Sequence, residues 1–226
     1  MTTALAIFVK TPGHSPVKTR LAASIGAQAA IEFHRLSARA VAEVAQSAGA
    51  GLQPCWAIAE KAALDDPLWR GLPRLWQGEG GLGARLHRVY TTLLARHERV
   101  LLVGADAPQL TLGLLLRACD VLNRPATPWV IGNARDGGFW LFGGRRPIAH
   151  EMWCGVRYSC ADTARQLCAS LDPPGTIATL PVLADVDRAP DLDTLEDTLA
   201  ALPSPLPAQR ALRHWLATRH EPLGSV

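Results

Sequence analysis

Two basic residues lie close together after the first apolar segment of the chain. Lys18 and Arg20 follow the run Ala4 to Val9, in a segment that contains two prolines and a glycine. Open α/β sheets place their ligands beyond the carboxyl ends of their strands, and basic side chains there bind phosphate. The spacing therefore predicts that Lys18 and Arg20 are exposed loop cations that contact phosphate, with a solvated basic pair as the alternative.

The same segment is not a P-loop. That motif needs glycines six residues and one residue before its lysine, and Pro12 and Val17 hold these positions relative to Lys18. Val17 would place a Cβ where the backbone must close on a phosphate. His14 also lies here and could contact phosphate, but a solvated loop histidine is the simpler interpretation. A P-loop kinase is therefore excluded.

Two acidic segments also follow apolar runs. Asp106 comes after the run that starts at Val100, and Asp185 and Asp187 come after the run that ends at Val182. A carboxylate at the end of a buried strand needs a partner, and two of them with waters and substrate phosphates commonly hold Mg²⁺. One carboxylate from each of the two segments could therefore hold one hard cation such as Mg²⁺. A turn or a helix cap is the alternative at each segment.

Glycines mark two further segments. Gly78, Gly80 and Gly83 surround the start of a helix that the pattern predicts near Leu82, where backbone can approach an anionic or flat ligand. A flexible loop is an equally good interpretation of these glycines. The segment Asp136-Gly137-Gly138 lies between two predicted strands, and its composition is typical of a hairpin turn.

Strand and helix patterns alternate along the chain. Six strands are predicted at 4–9, 52–59, 100–103, 129–132, 139–142 and 176–182, and helices at 26–47, 82–97, 111–122 and 190–219, the last with a break at 203–207. Such alternation predicts right-handed crossovers and a mainly parallel sheet. The polar segments described above follow the first, third and last of these strands, so the sheet should bring them together.

Composition excludes several classes of protein. The chain has 226 residues, of which 48% are hydrophobic and only 19% charged, which argues against disorder. The net charge is +3 and the arginines are scattered, so we expect no nucleic-acid partner. The first ten residues contain six apolar residues in a row without a basic segment, which is too little for a signal or a membrane anchor. The expected location is the cytoplasm, without a membrane partner.

The cysteines predict neither a disulfide framework nor a zinc knuckle. Their number is odd and no two lie two to four residues apart, which favours reduced thiols without a catalytic or metal role. The five cysteines are Cys55, Cys119, Cys154, Cys160 and Cys168.

Six motifs, in this order along the chain, resemble the DUF2064 family. They are IFVKTP at 7–12, VKTRLA at 17–22, QGEGGLG at 77–83, GADAP at 104–108, DGGFWL at 136–141 and DVD at 185–187. The family is similar to the nucleotide-diphospho-sugar transferases, and the resemblance covers residues 4 to about 195. It implies a three-layer α/β/α sandwich of GT-A type with a mainly parallel sheet, in one domain of residues 1–226 that ends in helices at about 190–219.

The resemblance implies a magnesium-dependent nucleotidyl- or glycosyltransferase that uses a nucleoside triphosphate or a nucleotide-sugar donor and a small-molecule acceptor. We expect it to be a monomer or a homodimer. The implied roles are catalysis for Lys18, Arg20 and Asp106; nucleotide binding for Lys10, Thr11, Lys18, Arg20, Gly78, Gly80 and Gly83; acceptor binding for Asp136, Gly137 and Gly138; and metal binding for Asp106 and Asp187.

A protein of the same fold that binds a nucleotide or a phosphorylated metabolite without turnover is the alternative. Gly81 favours this alternative, because the family usually has an aspartate at that position. The presence of both acidic segments favours the transferase.

Overall fold

A computed structural model describes residues 2–171 and 176–219. Within them the strands are β1 (Thr3–Val9), β2 (Leu52–Ile58), β3 (Arg74–Trp76), β4 (Arg99–Gly104), β5 (Trp129–Ala134), β6 (Phe139–Gly144) and β7 (Ile177–Leu183). The helices are α1 (Thr19–Ile25), α2 (Ala27–Ser47), α3 (Leu82–Leu94), α4 (Leu112–Leu122), α5 (His150–Cys154), α6 (Thr163–Ser170), α7 (Ala189–Ala200) and α8 (Pro207–Thr218).

The seven strands form one sheet in the order β3-β2-β1-β4-β6-β5-β7. The pairs β1/β2, β1/β4, β2/β3 and β5/β7 are parallel, whereas β6 runs antiparallel to both β4 and β5. The mainly parallel sheet is therefore confirmed. Because β6 alone is reversed, the turn that joins β5 to β6 lies at the same edge as the carboxyl ends of β1, β4 and β7.

Helices cover both faces of the sheet. Side chains of β1 alternate between the faces, with Leu5, Ile7 and Val9 in a core formed with α2 and α4. Ala6 faces the opposite core, which α3, α5 and α6 complete. This is the three-layer α/β/α sandwich that the resemblance implies.

A third apolar cluster lies outside the two sheet faces. It joins α1 and α2 to the C-terminal helices α7 and α8 through residues that include Leu21, Phe33, Leu192 and Leu212. Val186, between the two acidic residues of the DVD motif, is buried in the same cluster. The cluster therefore packs the segments that precede α1 and α7 against one another.

The predicted strands and long helices are confirmed, and the predicted break at 203–207 separates α7 from α8. Four elements were missed: α1, β3, α5 and α6. Each has three to eight residues, and a segment of that length gives too few repeats for helical or strand periodicity to identify. None of the helices in the described ranges is long and apolar enough to span a bilayer.

Candidate active site

Lys18, Asp106 and Asp187 meet at the carboxyl edge of the sheet. Lys18 Nζ lies 3.0 Å from Asp106 Oδ1 and 3.8 Å from Asp187 Oδ1, and it donates a hydrogen bond of 2.6 Å to the carbonyl of Val186. Both carboxylates therefore lie beside the same ammonium group and close to each other. Three segments widely separated in sequence thus form one charged cluster.

The prediction that Lys18 is an exposed loop cation is wrong. Its side chain is only 6% exposed, and its backbone has φ 47° and ψ 44°, in the left-handed region that non-glycine residues seldom adopt. The carbonyl of Lys18 accepts a hydrogen bond of 2.8 Å from Ala22 N in the first turn of α1. Strained residues of this kind concentrate at functional sites.

The charges of this cluster shift the pKa values of two carboxyls. Burial opposes ionisation of Asp106, but Lys18, together with His34 and Lys10, outweighs it and lowers the pKa of that carboxyl below its usual value. Asp185 behaves oppositely, because burial and the neighbouring Asp136 and Asp187 carboxylates raise its pKa. Three carboxylates therefore lie close together on the β7 side of the site. Among the described residues, Asp187 has cations at salt-bridge distance, whereas Asp136 and Asp185 have none.

Arg20 meets the expectation of an exposed cation. Its side chain is 65% exposed, and its guanidinium nitrogen lies 3.0 Å from Asp187 Oδ2. A shallow pocket beside it is also lined by Arg135 and Arg188. Sequence patterns did not single out these two arginines, because each is an isolated basic residue in its own segment.

The segment Asp136-Gly137-Gly138 forms the turn that its composition predicts. Asp136 Oδ1 accepts a hydrogen bond of 2.8 Å from the backbone N–H of Gly138, and Ala134 N donates to the carbonyl of Gly138. Since β6 is reversed, this turn lies at the edge where Asp106 and Asp187 lie. Asp136 and Gly138 line the same cleft as those two residues.

This cleft has a volume of about 310 Å³ and lies between the ends of β4, β6 and β7. One wall of it, the segment from Tyr158 to Thr163, was not predicted. Tyr158, Ser159, Cys160 and Thr163 all line the cleft. Cys160 is thus placed at the candidate site, although the cysteine count gave it no role.

Hydrogen bonds fix this wall against the Asp136 turn. Ala164 N donates to the carbonyl of Gly137 at 2.9 Å, and a Cβ on Gly137 would lie 2.0 Å from the carbonyl oxygen of Ala161. Ser159 has φ 60°, a second strained position beside the cleft. The residue Gly137 is therefore required by close backbone contact, in addition to its own positive φ of 89°.

The segment that precedes Lys18 rests on a buried polar network. Thr11 is buried, with its N–H donating to Glu60 Oε2 at 2.9 Å and its hydroxyl accepting from Trp69 Nε1 at 2.9 Å. Lys10 is exposed, and its carbonyl bonds the ring of buried His34 at 2.9 Å. The side chain of Thr11 thus supports the loop, while Lys10 remains accessible.

The glycines of the loop before α3 differ in what they do. Gly78 and Gly80 have φ values of 89° and 90°, so they shape the turn. Gly83 is buried, and a Cβ there would lie 2.4 Å from the backbone oxygen of Trp153 in α5. Gly81 precedes α3, and a Cβ on it would meet no atom within 4 Å. The side chain of an aspartate would therefore begin in open space at this position.

The donor atoms at the site fit a hard divalent cation. Asp106 and Asp187 offer oxygens only, and both carboxylates already face one positive charge, the ammonium of Lys18. No group of three or more histidine, cysteine or acidic side chains that could hold a metal occurs in the described residues. Two carboxylates are nevertheless the usual protein share of a Mg²⁺ site that substrate phosphates and waters complete.

The sequence profile of a family described as uncharacterized proteins conserved in bacteria, DUF2064, matches residues 40–160. The chain belongs to the DUF2064 family. Asp106 and the Asp136 turn lie inside the matched range, whereas Lys18 and Asp187 lie outside it.

This DUF2064 protein has the fold of nucleotide-diphospho-sugar transferases. A provisionally assigned transferase of that kind from Desulfovibrio desulfuricans G20 is 24% identical, with a TM-score of 0.78 over 97% of this chain and 99% of that chain.

More distant solved structures share the fold at lower TM-scores. CMP:2-keto-3-deoxy-manno-octonic acid synthetase, solved with CTP, is 13% identical with a TM-score of 0.55 over 88% of this chain and 99% of its own. A 4-diphosphocytidyl-2C-methyl-D-erythritol synthase from Anaerococcus prevotii DSM 20548 is 12% identical with a TM-score of 0.55, over 84% and 94% of the two chains. None of the curated protein sequences matches this chain.

Proposed function

We propose that this protein is a magnesium-dependent transferase that moves a nucleotidyl or glycosyl group from a nucleoside triphosphate or nucleotide-sugar donor to a small acceptor. The observation that carries the proposal is the cluster of Lys18, Asp106 and Asp187 at the carboxyl edge of the sheet. A buried cation between two carboxylates, beside a cleft, is suited to exchange partners when metal and phosphate arrive. The shared fold adds support by analogy alone, because one fold can carry many reactions.

Asp106 and Asp187 would hold Mg²⁺ (or Mn²⁺), which neutralises phosphate charge and orients the donor when it is bound. Lys18 would then bind the donor phosphates, because Asp106 and Asp187, which are its partners in the absence of the metal, would be engaged by that metal. Arg20 is exposed beside Asp187 and can contact the same phosphates. No covalent intermediate on the protein is needed, since positioning and electrostatics supply most of the catalysis in such transfers.

In nucleotidyl transfer, the acceptor oxygen bonds to the α-phosphorus while the bond to pyrophosphate breaks. In glycosyl transfer, the acceptor bonds to the anomeric carbon and a nucleoside diphosphate leaves. The acceptor's proton passes to water in both reactions. The leaving group therefore distinguishes the two.

One observation favours a second function, nucleotide binding without turnover. Lys18 and Arg20 together already balance the charges of Asp106 and Asp187, so the cluster is electrostatically complete without a metal. A protein that only binds a phosphorylated ligand could retain this arrangement for its stability. The two functions differ in whether any donor is consumed.

The decisive experiment is a thermal-shift panel of nucleoside triphosphates and nucleotide sugars, with Mg²⁺ or with EDTA. A ligand at a hundredfold excess over its Kd should raise the stability by about 2.7 kcal/mol. Asp106→Asn should abolish the magnesium-dependent part of this shift, and Asp120→Asn, an exposed residue of α4, is the matched control.

The functions are separated by this panel together with an assay for pyrophosphate and nucleoside diphosphate release in the presence of candidate acceptors. Release of pyrophosphate or of a nucleoside diphosphate supports transfer. Binding without either product, across neutral and phosphorylated acceptors, supports the second function. Full magnesium-dependent binding in Asp106→Asn contradicts both the metal site and the proposal.

A further inference from the structure

The cleft beside the metal-binding cluster carries an unbalanced negative charge. It is lined by the four carboxylates of Asp106, Asp136, Asp185 and Asp187, and no lysine, arginine or histidine is among the described residues that line it. Lys18 and Arg20 contact Asp106 and Asp187 and balance two of these charges. Asp136 and Asp185 then remain, because the donor phosphates would take up the charge of a bound Mg²⁺, so a second anion in this cleft would meet net repulsion.

The adjoining pocket has the opposite character. It shares Asp136, Asp185 and Asp187 with the cleft, but Arg20, Arg135 and Arg188 line it as well. Neither Arg135 nor Arg188 forms a salt bridge within the described residues. The two cavities therefore offer separate places for phosphate and for an uncharged group, one on each side of the carboxylates.

The remaining surface of the cleft is apolar and aromatic. Phe8, Leu82, Leu86 and Phe139 contribute to it, and Leu82 is 45% exposed, which is unusual for so large an apolar side chain at the start of a helix. A volume of about 310 Å³ is at the small end of ligand pockets. The shape and lining therefore suit one small molecule with an apolar body.

We propose that this cleft is the acceptor site and that it selects a neutral or cationic alcohol or amine with an apolar body, excluding carboxylate and phosphate acceptors. The inference rests on the proposed transferase function and specifies its second substrate. Selectivity arises from the carboxylates, and affinity from burial of apolar surface against Leu82 and its neighbours.

Three probes with the same ring test this selectivity: 2-phenylethanol, 2-phenylethylamine and phenylacetate. Their binding to the protein in EDTA can be titrated by saturation-transfer NMR, because Mg²⁺ without a donor would add two positive charges to the site and could itself bind a carboxylate. The alcohol and the amine should bind at least about tenfold more tightly than phenylacetate, a difference that one nearby charge can produce. Equal or tighter binding of phenylacetate overturns the proposal, and so does a lack of binding by all three probes.

Substitutions in the cleft test which side chains cause the selectivity among the three probes. Asp185→Asn should strengthen phenylacetate binding several-fold relative to the alcohol, whereas Asp65→Asn, a fully exposed carboxylate elsewhere, should change neither. Leu82→Ala should weaken all probes, and Leu116→Ala is its control because that side chain is 46% exposed on α4. Unchanged discrimination in Asp185→Asn, or equal effects of the two leucine variants, contradicts the assignment of the cleft.

Nucleotide binding, followed in parallel by thermal shift, separates this proposal from the proposed function. Retained magnesium-dependent nucleotide binding together with preferred phenylacetate binding refutes only the acceptor class. If the unmodified protein binds no nucleotide of the panel, the proposed transferase function is refuted as well.

Discussion

Lys18→Met replaces the buried ammonium by an apolar side chain of similar length. In the folded protein this removes the 3.0 Å contact to Asp106, the 3.8 Å contact to Asp187 and the 2.6 Å hydrogen bond to the carbonyl of Val186. Asp106 then has no salt-bridge partner among the described residues and Asp187 keeps only Arg20, so the variant should be less stable and should depend more strongly on a divalent metal.

The magnitude follows from the burial of the partners. Breaking a fully buried ion pair by removing one partner costs about 3–5 kcal/mol. The Lys18 side chain is 6% exposed, but Asp106 is 50% and Asp187 40% exposed, so water compensates part of the loss. We expect a decrease of about 1.5–3 kcal/mol in the free energy of unfolding, or a Tm lower by about 3–12 °C.

Urea unfolding in EDTA and in Mg²⁺ measures both effects. Lys61→Met is the control, because Lys61 is exposed and contacts the ring of Trp76 at 5.3 Å. Magnesium should restore more stability to Lys18→Met than to the unmodified protein, since it can take the place of the lost cation. The reasoning is refuted if Lys18→Met is as stable as Lys61→Met in EDTA, or if magnesium stabilises both variants equally.

Three further predictions test other parts of the structure. Arg20→Gln should change the free energy of unfolding by less than about 1 kcal/mol because the side chain is exposed, while nucleotide affinity, measured by calorimetry, falls about tenfold or more. Gly83→Ala should lower the free energy of unfolding, measured by urea titration, by about 1–3 kcal/mol, because the added Cβ overpacks against α5. Gly113→Ala is its control: the nearest atom to its Cβ lies 3.9 Å away, so this variant should raise the free energy of unfolding by about 0.5 kcal/mol. Iodoacetamide followed by mass spectrometry should label exposed Cys154 in the folded protein and spare Cys55, since burial raises the pKa of the Cys55 thiol to about 11.

Each of these three predictions would be contradicted by a specific result. Unchanged nucleotide affinity in Arg20→Gln removes that residue from the donor site. Equal stabilities of the two alanine variants would show that α3 and α5 move apart without cost. Labelling of Cys55 at the rate of Cys154 would show that the β2 side of the core opens in the native state.

The carboxylates of the site could be found from the sequence, but their cation could not be placed. Asp106 and Asp187 follow apolar strands, and parallel strands end at one edge, so their convergence follows from topology alone. The burial of Lys18 depends on a left-handed backbone and on contacts with residues about 90 and 170 positions away, neither of which leaves a local pattern. A Lys-x-Arg pair looks the same whether it is solvated or buried.

The wall from Tyr158 to Thr163 could not be found for a different reason. It lies between α5 and α6, two helices too short for periodicity to identify, and its position depends on the hydrogen bond from Ala164 to the Asp136 turn. The turn itself was predictable, because Asp-Gly-Gly composition is local. Local chemistry is thus readable from sequence, whereas a surface built by tertiary contacts is not.

The third apolar cluster gives residues far from the cleft control over its geometry. Lys18 immediately precedes α1 and Asp187 lies just before α7, and both helices belong to one apolar cluster with Leu212 and Leu216 of α8. Asp106, by contrast, extends from the sheet. Lys18 and Asp187 are therefore positioned by the helical cluster, and Asp106 by the sheet. A substitution that opens a cavity in α8 would allow Lys18 and Asp187 to move relative to Asp106. Substitutions in α8 should therefore also change the geometry of the site, although α8 lies about 110 residues after Asp106 in the sequence.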